Sequence, residues 1–490
     1  MSLESTIKNI QNQMRKDAGI NGNAQRIEQL TWMLFLKIYD QMEQEWAFYD
    51  ENYKSIIPEK YQWSNWAVDY KDGKALTGDE LIEFIGDLFK ALKELEINRN
   101  TPMRQAIVVE FFRDIHNDMK NGISVRKVLN YLEEIKLDRY DDRHALGDIY
   151  EQILKDLQGA KDSGEFYTPR PLTDFMAQRI KPQLGEKIGD FACGTGGFLT
   201  SALKILYEQV ESVEDKEKYD SSIYGVEKKS QPYMLCVTNM ILHDIESPNI
   251  YHGNSFNRKI KEYNDDEKFD VILMNPPYGG EEDDYIQNYF PKQFQSSETA
   301  DLFLALIMYR LKKNGRAAVV LPDSLLFGSD NAKINIKKHL LENFNLHTVV
   351  RLPKGVFVPY TSIATNVLFF ENTHKTEEVW FYRIDPPKGK KNFTKTQPLT
   401  AKYLEGLNEW WDNREEIIID GVDKARKYSI KEIVDNEYDL DLCKFSEKTI
   451  LNFESPEELI REYLIEKEAL IKEMNESICE IKKLLNIREE

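Results

Sequence analysis

The sequence predicts an α/β protein with a doubly wound sheet at its centre and helical segments at both ends. Three observations support this: helical patterns before residue 150, short apolar strands alternating with helices from about residue 163, and a capped helical segment from residue 455. Such strand–helix alternation is typical of a sheet covered by helices on both faces. The expected units are a helical domain, a core, a mixed extension and a terminal helix, over residues 1–150, 151–400, 401–454 and 455–490.

The N-terminal region is predicted to be helical because its apolar residues form dense runs that few β-branched stretches interrupt. Leu30–Tyr39 and Leu81–Phe89 are the clearest of these runs. The strands of the core are predicted from short apolar runs bounded by turn residues. These runs are Ile188–Phe191, Ile223–Val226, Asn249–His252, Phe269–Met274, Arg316–Leu321, Thr348–Leu352 and Asn366–Phe370.

The terminal helix has a clear start and an apolar seam. Ser455 is placed as the N-cap, Pro456 at the first helical position and Glu458 to close a capping box. Apolar residues then follow at alternating spacings of three and four, at Ile471, Met474, Ile478, Ile481 and Leu485. This spacing is typical of a coiled-coil seam, which we expect to face another subunit. An amphipathic helix packed on its own domain is the alternative.

Composition limits the classes of function. The 490 residues suffice for two or three domains, and 65 Lys and Arg against 84 Asp and Glu give a formal net charge of −19. A protein that grips DNA unaided is more often basic, so this chain either avoids nucleic acid or meets it through a local patch or a partner. The four cysteines are scattered without a Cys-x-x-Cys pair, which favours reduced thiols, a cytoplasmic location and no zinc site. We expect no signal peptide, membrane span or metal.

The strongest chemical motif is Asn275-Pro276-Pro277-Tyr278, directly after the predicted strand Phe269–Met274. The two prolines fix the backbone and remove two N–H donors. The carbonyl of Pro276 and the side-chain carbonyl of Asn275 then provide two neighbouring acceptors, which suit a planar –NH₂ group. Tyr278 suits the flat ring that carries such a group. The motif therefore predicts a site for an amino group on an aromatic ring or an amide.

A second motif, Asp190–Leu199, combines a strand, a glycine-rich turn and the start of a helix. Glycines let the backbone approach a ligand closely, and a helix N-terminus attracts negative charge. Glu227 ends the next predicted strand, where an acid can bind both hydroxyls of a ribose. Each feature alone has a purely structural alternative, but together they favour a nucleoside cofactor.

These motifs resemble the amino-methyltransferases that use S-adenosylmethionine. The string Gly164–Pro171 resembles the first cofactor motif of the DNA N6-adenine methyltransferases, and most of the chain resembles the modification (HsdM-type) subunit of type I restriction-modification systems. Asn436–Leu442 resembles a tail signature of these subunits, with Asp439 and Asp441 where Asn is common. The resemblance implies a Rossmann-like methyltransferase core, and S-adenosyl-L-methionine as cofactor.

The resemblance also implies roles for individual residues. The glycine loop would wrap the methionine part of the cofactor, with Asp190 near its ammonium and Glu227 on the ribose. Asn254 would bind the cofactor's adenine, with a structural strand-end asparagine as the alternative. The implied cofactor-binding residues are Glu165, Phe166, Tyr167, Thr168, Pro169, Arg170, Asp190, Gly194, Thr195, Gly196, Gly197, Glu227 and Asn254.

Asn275, Pro276, Pro277 and Tyr278 are the implied catalytic residues. The target adenine must leave the DNA helix, because a stacked base cannot reach a buried methyl donor. Tyr278 would then stack on one face of the base and Phe357 on the other, although Phe357 could instead be a core residue. No general base is expected, and the C5-cytosine mechanism is disfavoured because Cys193 follows alanine rather than proline.

The same family implies a set of partners. These are double-stranded DNA, a specificity subunit that carries two modification subunits, and a restriction subunit in the full complex. The sequence agrees, because the segment between the core and the terminal helix is too short for a recognition domain. The alternatives are a stand-alone N6-adenine methyltransferase, an RNA or protein amide N-methyltransferase, and a scaffold that holds the cofactor as a structural ligand.

Overall fold

The computed structural model describes residues 3–69, 75–98, 100–136 and 167–445, with 146–147, 149–151, 153–154, 464 and 467. The N-terminal part is helical, as predicted, and both apolar runs lie within long helices. The helices are Leu3–Met14, Asn23–Tyr49, Trp63–Trp66, Gly78–Lys93, Met103–Phe112 and Gly122–Glu133. The predicted seam over residues 471–485 lies outside the described residues.

The core contains a ten-stranded mixed sheet with the order β3-β2-β1-β4-β5-β7-β6-β8-β10-β9. β3, β2, β1, β4 and β5 run parallel, and β7 is antiparallel to both of its neighbours. The strands are β1 Ile188–Asp190, β2 Ile223–Glu227, β3 Ile250–His252, β4 Phe269–Met274, β5 Leu311–Pro322, β6 Asn345–Arg351, β7 Thr365–Glu371, β8 Glu378–Arg383, β9 Ile417–Ile419 and β10 Val422–Ser429.

Every predicted strand is confirmed, and the sheet extends further than the sequence pattern indicated. β5 begins at Leu311 rather than Arg316. β8, β9 and β10 were not predicted, and they carry the sheet past residue 400. β10 was obscured because its apolar residues are interspersed with Lys and Arg, as is typical of strands near an exposed edge.

The strand directions bring several loops to one edge of the sheet. β1, β2, β4 and β5 are parallel, so the loops after them leave at the same edge. β6 and β8 point the same way, because β7 reverses direction between β5 and β6 and because β6 and β8 are parallel. The order of the strands reverses beside β1, and a crevice forms at such a switch point in open α/β sheets.

Helices cover both faces of this sheet. They are Arg170–Ile180, Gly197–Tyr207, Val213–Asp220, Ser230–Leu242, Asp284–Gln287, Thr299–Arg310, Asp323–Phe327, Asn331–Asn343, Glu405–Asp412 and Ile430–Asp435. One hydrophobic cluster lies on each face, and one of the two continues without a break into the N-terminal helices. Among the described residues, no helix is both long and apolar enough to cross a membrane.

The helix Ser230–Leu242 joins the N-terminal region to the sheet. Its residues from Pro232 to Leu242 are all buried, because it packs against both β2 and the helix Asn23–Tyr49. Polar contacts fix this interface: Gln231 Nε2 donates to the carbonyl of Ala24 at 3.2 Å. The part of the sheet that contains β2 and β3 therefore rests on the N-terminal helices.

Candidate active site

A cavity of about 300 Å³ opens at the carboxyl edge of the sheet, among the loops that follow β1, β2, β3, β4 and β6. Most of the predicted site residues line it. They are Tyr167, Thr168, Gly194, Gly197, Glu227, Asn254, Asn275, Pro276, Pro277, Tyr278 and Phe357. The residues that do not line it are Pro169, Arg170, Asp190, Thr195 and Gly196. Glu165 and Phe166 lie outside the described residues.

Asn275 presents an acceptor to this cavity. It follows β4 directly, and its Nδ2 donates to Thr168 Oγ1 at 3.1 Å. Its Oδ1 is buried and has no hydrogen-bond partner. Because the threonine hydroxyl engages the nitrogen, the amide oxygen is the group left for a ligand. A buried unpaired acceptor costs free energy, so such an atom in a cavity is a candidate binding group.

The rings of Tyr278 and Phe357 line the same cavity as this acceptor. They are 8% and 4% exposed, and their centroids lie 6.0 Å apart with the planes at 68°. Burial raises the pKa of the Tyr278 hydroxyl, so this side chain stays neutral at physiological pH. The two rings now meet edge to face, and a flat ligand can enter between them only if they turn parallel and separate.

The glycine loop lies tightly against its surroundings. Gly194 and Gly196 have φ angles of 53° and 81°, a backbone conformation that favours glycine. A Cβ atom on Gly197 would collide with the guanidinium of Arg170. Glycine is therefore favoured by the backbone at Gly194 and Gly196, whereas at Gly197 a larger residue would displace the Arg170 side chain.

Glu227 ties this loop to the end of β2. Its Oε2 accepts from the Gly194 N–H at 3.0 Å, and its Oε1 accepts from the Lys229 N–H at 2.7 Å. Burial raises the pKa of this carboxyl, and the backbone donors oppose the rise. Each carboxylate oxygen can accept a further hydrogen bond, so the side chain is positioned to receive hydroxyl groups from the cavity.

Asp190, at the end of β1, is a fully buried carboxyl beneath the loop. Its Oδ1 accepts from the Ala192 N–H at 3.1 Å, while its Oδ2 has no partner. Burial raises the pKa of Asp190 to about 8; the Ala192 N–H opposes this rise and the charge of Glu227 adds to it. A nearby cation would restore the charged form, since an opposite charge favours ionisation.

Arg170 lies behind the glycine loop. It forms a salt bridge with Glu151 and lies over the ring of Tyr167 at 4.9 Å. Asn239 Nδ2 donates to Glu151 Oε1 at 2.5 Å and to the Thr195 carbonyl at 3.0 Å. Arg170 and Thr195 are thus linked through two residues that sequence reasoning missed. Neither Glu151 nor Asn239 belongs to a motif, and only the fold brings them together.

Two smaller expectations concern Asn254 and Cys193. Asn254 lines the cavity, and its Oδ1 accepts from the Phe256 N–H at 3.0 Å, which is a turn-forming contact. This contact agrees with the structural alternative and leaves the Nδ2 group for a ligand.

A hydrogen bond with Cys236, and then burial, raise the pKa of Cys193 well above its usual range. Its thiol is therefore unsuited to act as a nucleophile.

Residues 3–135 match the HsdM N-terminal domain, and residues 141–469 match the N-6 DNA Methylase family. The chain is 47% identical over 469 residues to the methylase subunit of the type I restriction enzyme EcoEI from Escherichia coli, covering 94% of each chain. The chain belongs to the methylase subunits of type I restriction enzymes. The predicted resemblance to HsdM-type subunits is thereby confirmed.

Solved structures agree with this assignment. The present chain is 40% identical to a modification subunit of a putative type I restriction enzyme from Vibrio vulnificus YJ016. That match has a TM-score of 0.74 and covers 91% of this chain and 93% of the other. The present chain is also 31% identical to a chain from a study of complex assembly and conformational transition of the type I R-M system. That match has a TM-score of 0.82 and covers 99% of each chain.

Proposed function

We propose that this methylase subunit transfers a methyl group from S-adenosylmethionine to N6 of an adenine that has been flipped out of double-stranded DNA. The observation that carries the proposal is the buried, unpartnered Oδ1 of Asn275 beside the rings of Tyr278 and Phe357. An acceptor next to two aromatic rings suits a base that carries an amino group. Stacked duplex bases cannot enter such a cavity, so the adenine has to leave the helix.

The cavity also suits the cofactor. Glu227 suits the ribose hydroxyls, and Gly194 and Gly197 leave room for close backbone approach. Asp190 does not line the cavity, but it directly precedes the lining residue Phe191, and its unpaired Oδ2 suits an ammonium group. When bound, S-adenosylmethionine supplies a methyl group on a positively charged sulfur. Thr168 lines the cavity and also accepts from Asn275, so it links the proposed cofactor-binding string to the Asn-Pro-Pro-Tyr motif.

The chain's own residues act mainly by orientation and electrostatics. Asn275 Oδ1 and the Pro276 carbonyl accept the two N6 hydrogens, which turns the nitrogen lone pair out of conjugation with the ring. Two acceptors also stabilise the positive charge that develops on the nitrogen. Tyr278 and Phe357 hold the ring by its two faces. The substrate nitrogen is the nucleophile, so no residue needs to remove a proton first.

Choice of the target sequence is assigned to other subunits. A specificity subunit would read the DNA bases and carry two copies of this methylase subunit, and a restriction subunit would join the full complex. The relatives are named as subunits, and the chain covers 94% of the EcoEI subunit, which supports the same division of labour. Residues 455–490 are the proposed docking segment.

The test is methylation by the complex of this chain with its specificity subunit, using Asn275→Ala. Loss of a single transition-state contact of this kind lowers kcat by about 10²–10³ fold. We expect a loss of that order, with cofactor affinity unchanged. Asn288→Ala is the matched control, because Asn288 is exposed and does not line the cavity. Full activity of Asn275→Ala, or labelling of RNA or protein instead of DNA, would contradict the proposal.

A further inference from the structure

A chain with a net charge of −19 needs a local source of positive charge to hold DNA next to its active site. Residues 386–404 provide one. They contain five lysines and no acidic residue, at Lys388, Lys390, Lys391, Lys395 and Lys402. We call residues 386–396 the basic loop.

The basic loop lies at the active-site edge of the sheet. It follows β8, which is parallel to β6, and the Phe357 loop follows β6. The two loops are joined, since the Phe393 N–H donates to the Lys354 carbonyl at 3.0 Å. They also pack so closely that a Cβ atom on Gly355 would collide with the Phe393 carbonyl. The basic loop is therefore fixed against the loop that carries Phe357.

Three lysines of this loop face solvent, and no acidic partner is seen for them among the described residues. Lys390, Lys391 and Lys395 are exposed, and none of them forms a salt bridge with another described residue. The acid that precedes the loop, Asp385, is already engaged by Arg383 at 3.0 Å and by Lys424 at 2.9 Å.

The loop is also anchored rather than a free solvated run. Phe393 is buried and packs against Tyr403 with ring centroids 4.9 Å apart.

The acidic stretch 281–284 directly follows the catalytic turn and lines part of the cavity. The charges of the acidic stretch and of the basic loop thus lie on different loops, so a polyanion is favoured at the basic loop.

We infer that the basic loop binds the phosphate backbone of the DNA beside the flipped adenine. Lysines are compact, flexible charges that contact phosphates without reading sequence, which suits a subunit that leaves recognition to a partner. The exposed ammonium groups of Lys390, Lys391 and Lys395 would make the contacts, and the acidic stretch would repel DNA from its own loop. This inference rests on the proposed function.

The experiment measures DNA binding by the complex with the specificity subunit, as a function of salt, for the triple variant Lys390→Gln, Lys391→Gln and Lys395→Gln. Each phosphate contact contributes about 0.9 to the slope of log K against log salt concentration. We expect the slope to become shallower by about 2 to 3, with cofactor affinity unchanged. An arginine triple at the same positions keeps the charge and should keep the wild-type slope.

The matched control is Lys181→Gln, Lys313→Gln and Lys375→Gln, which removes the same charge from exposed lysines at the opposite edge of the sheet. An unchanged slope in the basic-loop triple, or an equal decrease in the control, would overturn the inference. Should the triple variant fail to fold, Lys391→Gln alone should lower the slope by about 0.9, and no change would again overturn it. Absence of adenine methylation by the wild-type complex would instead overturn the proposed function.

Discussion

At the scale of single residues, the contact between Thr168 and Asn275 determines which amide atom faces the cavity. Thr168→Val removes the acceptor for Asn275 Nδ2, so the amide oxygen is held less firmly in its orientation. A net hydrogen bond is worth about 1 kcal/mol, so kcat should fall by roughly five- to tenfold. Thr168→Ser retains the hydroxyl and should restore kcat. A loss confined to cofactor affinity would show that Thr168 acts only on the cofactor.

Because burial raises the pKa of Asp190, we expect the affinity for the cofactor to depend on pH. Its pKa of about 8 keeps it protonated at neutral pH in the free protein, whereas an ammonium partner selects the carboxylate. Affinity should therefore rise by up to about tenfold per pH unit below pH 8 and then level off. Titration of the cofactor's own groups affects wild type and Asp190→Asn equally. The ratio of the cofactor affinities of the two proteins therefore reports only the titration of Asp190. A ratio that does not change with pH would contradict the prediction.

The same group has the opposite effect on stability. Its pKa is raised in the folded state, so its contribution to stability is complete below the unfolded pKa of about 3.9 and is lost as the pH rises toward 8. Asp190→Asn should therefore raise the melting temperature of the free protein relative to wild type, and more at pH 8 than at pH 5. A difference in melting temperature that is constant with pH would show that the carboxyl is not buried in its neutral form.

The residues of the site divide by how far apart they lie in the chain. Asn275–Tyr278 and the glycine loop were predictable because each motif is contiguous and follows a strand. The network of Glu151, Asn239 and Arg170 was not, since its members come from three separate segments and are brought together only by folding. Sequence patterns therefore predict contiguous motifs well. They predict buried contacts between distant segments of the chain poorly.

At the scale of elements, the loop between β6 and β7 is held at both of its ends by Asp323. Asn366 Nδ2 donates to Asp323 Oδ1 at 2.7 Å, and Arg351 lies 3.5 Å from Asp323 Oδ2. Arg351 is also paired with Asp441 at 2.5 Å, within the tail signature Asn436–Leu442. Asp441 therefore supplies a negative charge to the buried arginine. The tail signature thus braces the loop that carries Phe357.

This brace predicts the effect of Asp441→Ala. Hydrogen bonds to charged groups contribute about 1.5–3 kcal/mol, and a loss of free energy of unfolding near that range is expected in denaturant titrations. Burial alone would raise the pKa of Asp441, but Lys444 and Arg351 outweigh it and lower the pKa. The contribution is therefore present above the unfolded pKa and is lost as the pH falls through the folded one. Asp435→Ala, at an exposed position, is the control, and equal destabilisation by both would contradict the brace.

At the scale of the whole molecule, each half of the active site rests on a different terminal region. The half proposed to hold the cofactor is supported by N-terminal contacts, such as Ser230 Oγ donating to Asp114 Oδ2 at 2.6 Å. The half proposed to hold the base is supported by the C-terminal extension, where the Leu440 N–H donates to the Leu326 carbonyl at 3.1 Å. Strand alternation predicted the central sheet, but these braces depend on contacts between regions far apart in the chain.

The bracing contacts described above all involve residues before 446, so deletion of the proposed docking segment leaves them in place. Deletion of residues 455–490 should abolish co-purification with the specificity subunit and leave cofactor affinity unchanged. Ile478→Asp places a charge in the predicted seam and should have the same effect, because a charge in an apolar interface loses its hydration. Lys483→Asp, outside the seam, is the control. Continued co-purification of the deletion variant would place the docking surface on another part of the chain.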